Sequence, residues 1–484
     1  MEHSGLKEHK FKKGKFISPW NSELKEYLKP KIWFLERLPE YMWIGLILEE
    51  YGRKVGLEKC YYIIKELNEI NSDIKVPSIS NILSMDTEKQ KRLYVTINKQ
   101  ISRSTLAPLT LIYTYTDFPC FFKSFYDPGK YDEKLSRLNV VLKKANNHQS
   151  DFSTDMRFII IYFMLMKKKV GMPKEILDRV LEYPRLEHND SKMYLIRPTI
   201  RSLEIGLSVI EEVNRKYLEI FWGEISNMSD CENFYMQYEN DANQSEIYKE
   251  YLKEIFNYLS DVFITTEPLN DKMLVLLGIA TFSYKRIIEL VDHNLYNSIS
   301  GRNIVRSLIE NYIMIKYLLA NENKHENIWK EYQYYGIGLY KLVVSREREC
   351  KERRENSHVN YGYLEAIVNE YIDEEFIDMD TRYFNNQNIR LKAEEVDEKE
   401  LYGLYYDYDS SFEHGLWGAI RESSLLKCNS PMHQYHCTLD VNNIQALPSV
   451  WNDCIYVMNK ILLVIDTFIN IPEELMKEVK RFEQ

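Results

Sequence analysis

The sequence has few residues that interrupt regular structure and no pattern that marks an exported protein. Only 17 Gly and 14 Pro occur among 484 residues, so long uninterrupted elements are expected. Seven cysteines are scattered without a Cys-x-x-Cys pair. An odd, unpatterned set of this kind is typical of reduced thiols in a cytoplasm. Because the first residues are polar, we also expect no secretory signal peptide.

The chain also lacks a long hydrophobic run and the common nucleotide-binding and hydrolase motifs. Its most apolar stretch, residues 158–166, is about half the length needed to cross a bilayer. We therefore predict a cytoplasmic protein without membrane attachment. The sequence contains no GxGxxG, GxxxxGK[ST], HExxH or GxSxG motif. Nothing in it points to a bound cofactor, and we predict none.

The composition is that of a folded protein with an acidic balance. Hydrophobic residues make up 45% and charged residues 28% of the chain, and the net charge is −10. That charge argues against passive nucleic-acid binding by the whole chain. The start is locally basic, and we interpret residues 1–16 as a flexible basic tail, with a phosphate-contacting arm as the alternative. The basic residues are Lys7, Lys10, Lys12, Lys13 and Lys15.

Helical periodicity dominates the rest of the sequence and predicts an all-α fold. A polar stretch at 227–245 separates a helical N-terminal domain, residues 17–226, from a C-terminal antiparallel helical bundle, residues 246–484. Asp86 and Ser153 are predicted helix N-caps. No Asn-Gly or Asp-Gly hairpin signal occurs. The predicted helices are 38–51, 57–69, 87–101, 132–144, 153–168, 173–181, 198–225, 246–263, 273–297, 302–320, 326–355, 364–376, 398–414, 416–426 and 450–468.

One predicted helix carries a ladder of polar side chains at a spacing of four. Within 398–416 the residues Tyr402, Tyr406, Ser410 and His414 form one stripe. An apolar stripe lies roughly on the other side of the helix. Two interpretations stay open: His414 lies on a wet face together with Asp409 and Glu413, or the helix is buried on both sides and the ladder faces a polar pocket. The apolar stripe is formed by Leu401, Leu404, Tyr405, Tyr408, Phe412 and Leu416.

A second predicted helix carries a charged pair in apolar surroundings. Arg306 and Glu310 are four residues apart and can pair on one face. Beyond Asn311 the helix is apolar nearly all round, so the pair is predicted to be partly buried. Buried ions are costly unless they are paired and hydrogen-bonded. The pair is therefore either an organising salt bridge or part of a functional site.

Together these motifs resemble an uncharacterised bacterial family. The run Arg306-Ser-Leu-Ile-Glu310, followed about a hundred residues later by the Tyr406, Ser410 and His414 ladder, is similar to the family of unknown function DUF5677. The resemblance covers roughly residues 250–470. It implies an all-α bundle in which the two helices meet around a shared polar site, and it implies no established reaction.

The sequence also distantly resembles the HEPN group of helical ribonucleases, which occur in toxin and phage-defence systems. In those proteins one helix carries an Arg and a His that are separated by four to six residues. Here Asp407, Tyr408 and Asp409 stand where that Arg is expected, so Arg306 must come from another helix. A literal Arg-x4-His occurs at Arg353 to His358. Its crowded charged surroundings are typical of a solvated helix face.

In a metal-independent ribonuclease, the predicted roles follow from ordinary acid–base chemistry. A histidine has a pKa near working pH and can take and return protons, which suits His414. A guanidinium can hold a phosphate and stabilise developing charge, which suits Arg306. Glu310 would orient Arg306, and Ser410 and Tyr406 would be hydrogen-bond partners. These five residues are the predicted catalytic set.

A group of potential metal ligands follows the ladder. Cys428, His433, His436 and Cys437 lie within ten residues, but their spacing matches no standard zinc finger. His436 and Cys437 are adjacent, which makes joint coordination of one ion awkward. We therefore predict no metal site. Metal binding stays open as an alternative, as does a place for His433 or His436 in the pocket of His414.

Two functional hypotheses follow. The first is a HEPN-like, metal-independent ribonuclease or toxin in bacterial anti-phage defence, with RNA as its partner. It requires the predicted residues to converge in an open cleft ringed by basic groups. The second is a non-catalytic helical sensor or protein-binding module, which requires a closed polar network and an apolar patch exposed elsewhere. A homodimer is compatible with both hypotheses, although the sequence has no coiled-coil heptad repeat that would define its geometry.

Overall fold

The computed structural model describes residues 5–24, 31–168, 171–207, 213–238, 242–266, 270–350, 357–370 and 372–482. Most of these residues are helical and the strands are short, which confirms the all-α prediction. No described helix is both long and apolar enough to span a bilayer.

The chain forms two compact units. Unit 1 contains residues 1–234 and 427–437, and unit 2 contains residues 235–426 and 438–484. The division after residue 234 falls inside the polar stretch 227–245 where the sequence suggests a boundary. The assignment of 427–437 to unit 1 has no counterpart in the sequence-based division, because those residues lie far along the chain from the rest of that unit.

Unit 1 is built around helix α2, which begins with Leu38-Pro39 and runs for 33 residues. Pro suits the first helical position because its missing N–H needs no partner there. The predicted helices 38–51 and 57–69 are one element with a kink at Gly52, whose φ of 70° favours glycine. The helices of unit 1 are α1 (Pro19–Leu24), α2 (Leu38–Ile70), α3 (Ile79–Leu83), α4 (Thr87–Gln100), α5 (Arg103–Leu106), α6 (Pro119–Phe125), α7 (Tyr131–Asn146), α8 (Asp151–Met166), α9 (Lys174–Glu182), α10 (Met193–Leu207) and α11 (Arg215–Ser226).

A buried ion triad joins three of these helices. Glu204 on α10 is 1% exposed and pairs with Arg37, at the start of α2, and with Arg157 on α8. The Nε of Arg157 lies 3.3 Å from Oε2 of Glu204. Burial lowers the pKa of Arg157 to about 10, although the attraction of Glu204 opposes that shift. Loss of one partner from such a group leaves an uncompensated buried charge.

Residues 427–437 pack into the hydrophobic core of unit 1. Met432 is 3% exposed within that core, and the ring of Tyr435 lies 5.4 Å from the ring of Phe34. Strand β3 (Asn233–Phe234) pairs antiparallel with β4 (Leu425–Cys428), placing Asn233 opposite Cys428. The pairing attaches this late segment to the end of the first stretch of unit 1. A further strand, β5, spans Cys437–Leu439.

Unit 2 is a helical bundle with α14 at its centre. Leu308, Ile309 and Ile313 of that helix are fully buried. Helix α14 contacts α13, α17, α19 and α21 and the short π-helix Tyr402–Tyr406. The helices are α12 (Ala242–Thr266), α13 (Asp271–Asp292), α14 (Ile299–Asn321), α15 (Ile328–Glu349), α16 (Tyr361–Val368), α17 (Ile389–Glu395), α18 (Lys399–Leu401), α19 (Asp407–Glu413), α20 (Trp417–Ser423), α21 (Trp451–Ile469) and α22 (Glu473–Arg481).

Several local predictions differ from the structure. Asp86 caps α4 as predicted, but α8 is capped by Ser150, which accepts from the backbone N–H of Ser153. The basic start, predicted as a flexible tail, contains a hairpin of β1 (Lys10–Lys12) and β2 (Lys15–Ile17). Its turn has positive φ at Lys13 and Gly14, the geometry usually marked by Asn-Gly. The predicted helix 416–426 is the shorter α20 followed by β4.

Candidate functional site

The Arg306 cluster, formed by Arg306, Glu310, Tyr406 and Ser410, lies within unit 2. Arg306 and Glu310 are one turn apart on α14, as predicted, and Nη1 of Arg306 lies 3.3 Å from Oε2 of Glu310. Facing them is the segment of the π-helix Tyr402–Tyr406 and α19. The side chains are partly exposed, 22% for Arg306 and 41% for Glu310. The cluster is therefore polar and within reach of solvent.

We call the π-helix Tyr402–Tyr406 together with α19 the ladder segment. Its π-helical turn determines which face of the segment packs against α14. The turn at Tyr402–Tyr406 contains one more residue than an α-turn, and an extra residue rotates the following helix by about 100°. Tyr406 is buried, whereas Leu404, Tyr405 and Tyr408 of the predicted apolar stripe are exposed. The prediction of a buried apolar stripe is therefore wrong for these residues, because a regular α-helix was assumed across the π-turn.

Arg306 organises the cluster through three of its nitrogen atoms. Its Nε donates to Oγ of Ser410 at 3.1 Å, and Nη2 donates to the hydroxyl of Tyr406 at 2.7 Å. The Tyr406 hydroxyl in turn donates to Oε2 of Glu310 at 3.4 Å. The guanidinium carbon also lies 4.8 Å from the centre of the Tyr406 ring. Four of the five predicted site residues thus converge from two helices.

Burial keeps the tyrosines of this segment protonated. Loss of hydration raises the pKa of Tyr406 to about 12, and the negative charge of Glu310 adds to the shift while Arg306 opposes it. The neighbouring Tyr402 ring stacks on Tyr406 with ring centres 4.9 Å apart. Burial likewise raises the pKa of Tyr402 to about 12. Tyr406 is therefore a neutral donor and acceptor at ordinary pH, and it connects the guanidinium to the carboxylate.

His414 does not join the cluster. It stands at the C-terminal cap of α19 and is exposed, and its backbone N–H donates to the carbonyl of Ser410 at 3.1 Å. Within the described residues its imidazole makes no hydrogen bond or ion pair with Arg306 or Glu310. The residue predicted as acid and base thus lies next to the cluster along the helix, without contacting it.

A second polar group, one turn earlier on α14, was missed in the sequence. Arg302 is 2% exposed, and Nη1 donates to the carbonyls of Tyr296 and Ser298 at 3.2 and 3.3 Å. Asp409 of α19, which one of the two interpretations of the sequence placed on a wet face, is only 4% exposed. Burial raises the pKa of Asp409 to about 7, although the nearby Arg302 lowers it. Burial also raises the pKa of Asp453 on α21.

The remaining sequence candidates fall elsewhere. Arg353 of the literal Arg-x4-His lies outside the described residues, and His358 is exposed. Of the predicted ligand group, Cys428, His433 and His436 do come together in unit 1, but their fourth member is Cys231 and not Cys437. Cys231 is 202 residues from His433 in sequence, so no local spacing could reveal it.

The Arg306 cluster can fix α14 against the ladder segment, and Arg306 can donate a hydrogen bond to an acceptor on a ligand. Every member of the cluster has a partner of opposite hydrogen-bonding character, which is the mark of a satisfied network. The guanidinium of Arg306 donates to Ser410 and Tyr406 and forms an ion pair with Glu310. Its remaining N–H groups can donate to water or a ligand. Tyr406 is a poor proton donor in acid–base chemistry at ordinary pH, because its pKa is raised to about 12.

Comparison with known proteins confirms the family resemblance over a shorter range of residues than predicted. Residues 273–433 match the model of a family of unknown function, DUF5677. The match contains both α14 and the ladder segment, and it is shorter than the predicted range of 250–470. No curated protein and no solved structure matches the chain.

Proposed function

We propose that unit 2 is a non-catalytic, all-helical protein-binding module. The observation that carries the proposal is a set of large apolar side chains exposed on the ladder segment and on α20, among them Leu404 at 68% and Trp417 at 71%. Large exposed apolar groups that lie together are typical of interaction surfaces. We name these residues the apolar face: Leu404, Tyr405, Tyr408, Leu416, Trp417 and Ile420.

The Arg306 cluster supports this role by fixing the orientation of the apolar face. Tyr406 and Ser410 anchor the segment to α14 through Arg306. Tyr408, two residues from each anchor, points outward, and its hydroxyl donates to Oε1 of Glu422 on α20 at 2.8 Å. That bond links the two short helices that carry the face. A preordered surface of this kind loses less conformational entropy on binding.

Charge around the apolar face indicates the chemistry of its partner. Between residues 397 and 413 four carboxylates are exposed, Asp397, Glu400, Asp407 and Glu413, against one exposed ammonium, Lys399. Complementary potentials favour association and like charges oppose it. The partner is therefore a protein segment with apolar side chains flanked by basic ones. A second copy of this chain or an RNA strand would bring more negative charge to the same place.

The proposal is tested with a synthetic amphipathic helix of leucine and lysine and its leucine–glutamate counterpart, titrated into the full chain. The Leu/Lys peptide is expected to bind, and the double variant Leu404→Ser, Trp417→Ser to weaken it at least tenfold. The control is Phe376→Ser, an equally exposed apolar residue of unit 2 at 73%. Equal binding of both peptides, or equal loss in the control, would refute the proposal, as would a dimer of the free chain held together by the apolar face.

A second candidate is the metal-independent ribonuclease, and one observation favours it. His414 is exposed and one turn from Ser410, which contacts Arg306, so an RNA phosphate bound by Arg306 would lie near an imidazole. The test expresses wild type, His414→Ala and the matched control His358→Ala in bacteria. Growth arrest and RNA cleavage that His414→Ala alone abolishes would establish this function; no cleavage by wild type would reject it.

A further inference from the structure

Four potential metal ligands, two cysteines and two histidines, meet in unit 1. Cys231 follows α11, Cys428 ends β4, His433 ends the 3-10 turn Pro431–His433, and His436 lies in the next turn. Their candidate ligand atoms, one from each residue, all lie within 4.8 Å of one another. We propose that Cys231, Cys428, His433 and His436 form a structural zinc site.

The distances between these atoms are those of ligands around one ion. Sγ of Cys231 lies 3.3 Å from Nδ1 of His433 and 3.2 Å from Nε2 of His436. Sγ of Cys428 lies 3.6 Å from the same Nδ1. Bonds of about 2.0–2.3 Å to a central Zn²⁺ place tetrahedral ligand atoms about 3.3–3.8 Å apart. Three of the six separations are therefore close to the edges of a zinc tetrahedron, and all six lie within 4.8 Å.

The second nitrogen of His433 is held as in metal sites. Nε2 lies 2.9 Å from the carbonyl oxygen of Ser229 and 3.1 Å from that of Ser226. A carbonyl oxygen can only accept, so Nε2 carries the proton and Nδ1 presents a lone pair to the sulfur atoms. A backbone carbonyl that fixes the tautomer of a ligating histidine is a common outer-shell feature of zinc sites.

Hydrogen bonding among neutral thiols accounts for this geometry less well. Nδ1 of His433 has one lone pair and can accept one hydrogen, yet it faces both Cys231 and Cys428. A cation at the centre satisfies all four atoms at once. Two thiolates also balance its double charge. Two sulfur and two nitrogen ligands in a tetrahedron select zinc among the common divalent ions.

The backbone holds the ligands in place. The N–H of Cys428 donates to the carbonyl of His436 at 2.8 Å, and the N–H of Glu232 donates to Sγ of Cys428 at 3.3 Å. Between the two histidines, Gln434 and Tyr435 have φ of 55° and 52°, which returns the chain to the cluster. Cys428 is fully buried. With four protein ligands the site is closed, as structural zinc sites are, and it links residues 427–437 to the end of α11.

The proposal is tested on the full chain, produced in zinc-supplemented medium and purified without chelators. Elemental analysis is expected to give one zinc per chain for wild type and for Cys437→Ser, a matched control next to the site. Cys231→Ser and His436→Gln, both exposed positions, should lose most of the zinc while keeping the helical circular dichroism of the fold.

Cobalt provides a second readout that does not depend on the stability of the variants. Wild-type chain stripped of metal and loaded with Co²⁺ is expected to show the intense visible absorption of a tetrahedral thiolate site, and Cys437→Ser should show the same spectrum. Wild-type chain that takes up neither ion would overturn the proposal. So would equal zinc loss in Cys437→Ser, or a Cys231–Cys428 disulfide as the native state of the purified protein.

Discussion

The two polar groups of this protein are built on opposite principles. In the Arg306 cluster donors are paired with acceptors: Arg306 donates to Ser410 and Tyr406, and Tyr406 donates to Glu310. In unit 1 four candidate ligand atoms, from two cysteines and two histidines, lie within 4.8 Å of one another. A complementary set is complete by itself, whereas a convergent set of like groups needs a cation at its centre. By this criterion the Arg306 cluster is a structural network, and the cysteine–histidine group of unit 1 is the proposed metal site.

The largest expected effect is the removal of zinc from unit 1. A ligand present at a thousandfold excess over its Kd stabilises the folded state by about 4 kcal/mol, which for a unit of this size is roughly 8–16 °C in Tm. We expect calorimetry with and without a strong chelator to show a shift of that order. The variant Cys428→Ser should show no further shift on chelation. A shift of equal size in that variant would contradict the assignment.

A smaller effect is expected when the Arg306 cluster is broken. Arg306→Ala leaves Tyr406 without its donor and Glu310 without its counter-charge, and we expect a loss of about 2–3 kcal/mol in urea unfolding. Arg306→Lys should recover little of it, because one ammonium cannot replace the planar fork that reaches three partners. The exposed Arg382, which pairs with Asp380, is the control, and Arg382→Ala should cost less than about 1 kcal/mol.

The smallest of these effects concerns Asp409 and depends on pH. Its pKa in the folded protein is about 7, above the ordinary value, so the folded state holds a proton that the unfolded state releases. Stability therefore falls as pH rises from about 4 to 7. Asp409→Asn removes this cost, and we expect a gain of about 1–2 kcal/mol at pH 8 that disappears near pH 4. The control is Asp407→Asn, which alters an exposed carboxylate two residues earlier. A pH-independent gain would rule out titration of Asp409 as its cause.

Sequence periodicity predicted the parts of the molecule that local spacing determines. The all-α fold and the pairing of Arg306 with Glu310 follow from residues three or four apart on long helices. The meeting of Tyr406 and Ser410 with that pair was implied by the family resemblance. Periodicity failed where the helix itself changes. The π-turn before Asp407 rotates the ladder segment, so Leu404 faces outward and Asp409 inward.

Contacts between distant parts of the chain were beyond sequence reasoning. Cys437 was grouped with the candidate ligands because it lies within ten residues of Cys428, whereas Cys231 joins the site only through the folding of unit 1. Glu204 is likewise buried between Arg37 and Arg157, which lie 167 and 47 residues earlier in the sequence. Neither partner can be found without the three-dimensional arrangement, because nothing in the local sequence distinguishes these residues from exposed ones.

The membership of residues 427–437 in unit 1 has a consequence for biosynthesis. A ribosome makes residues 1–234 first, yet Met432 of the core and three of the four proposed zinc ligands appear only after most of unit 2 has been translated. The core of unit 1 therefore stays incomplete while some 190 further residues are synthesised, because residues 427–437 are translated only after them. A fragment that ends at residue 234 would lack the same pieces permanently, so the two units are not separable by a single cut of the gene.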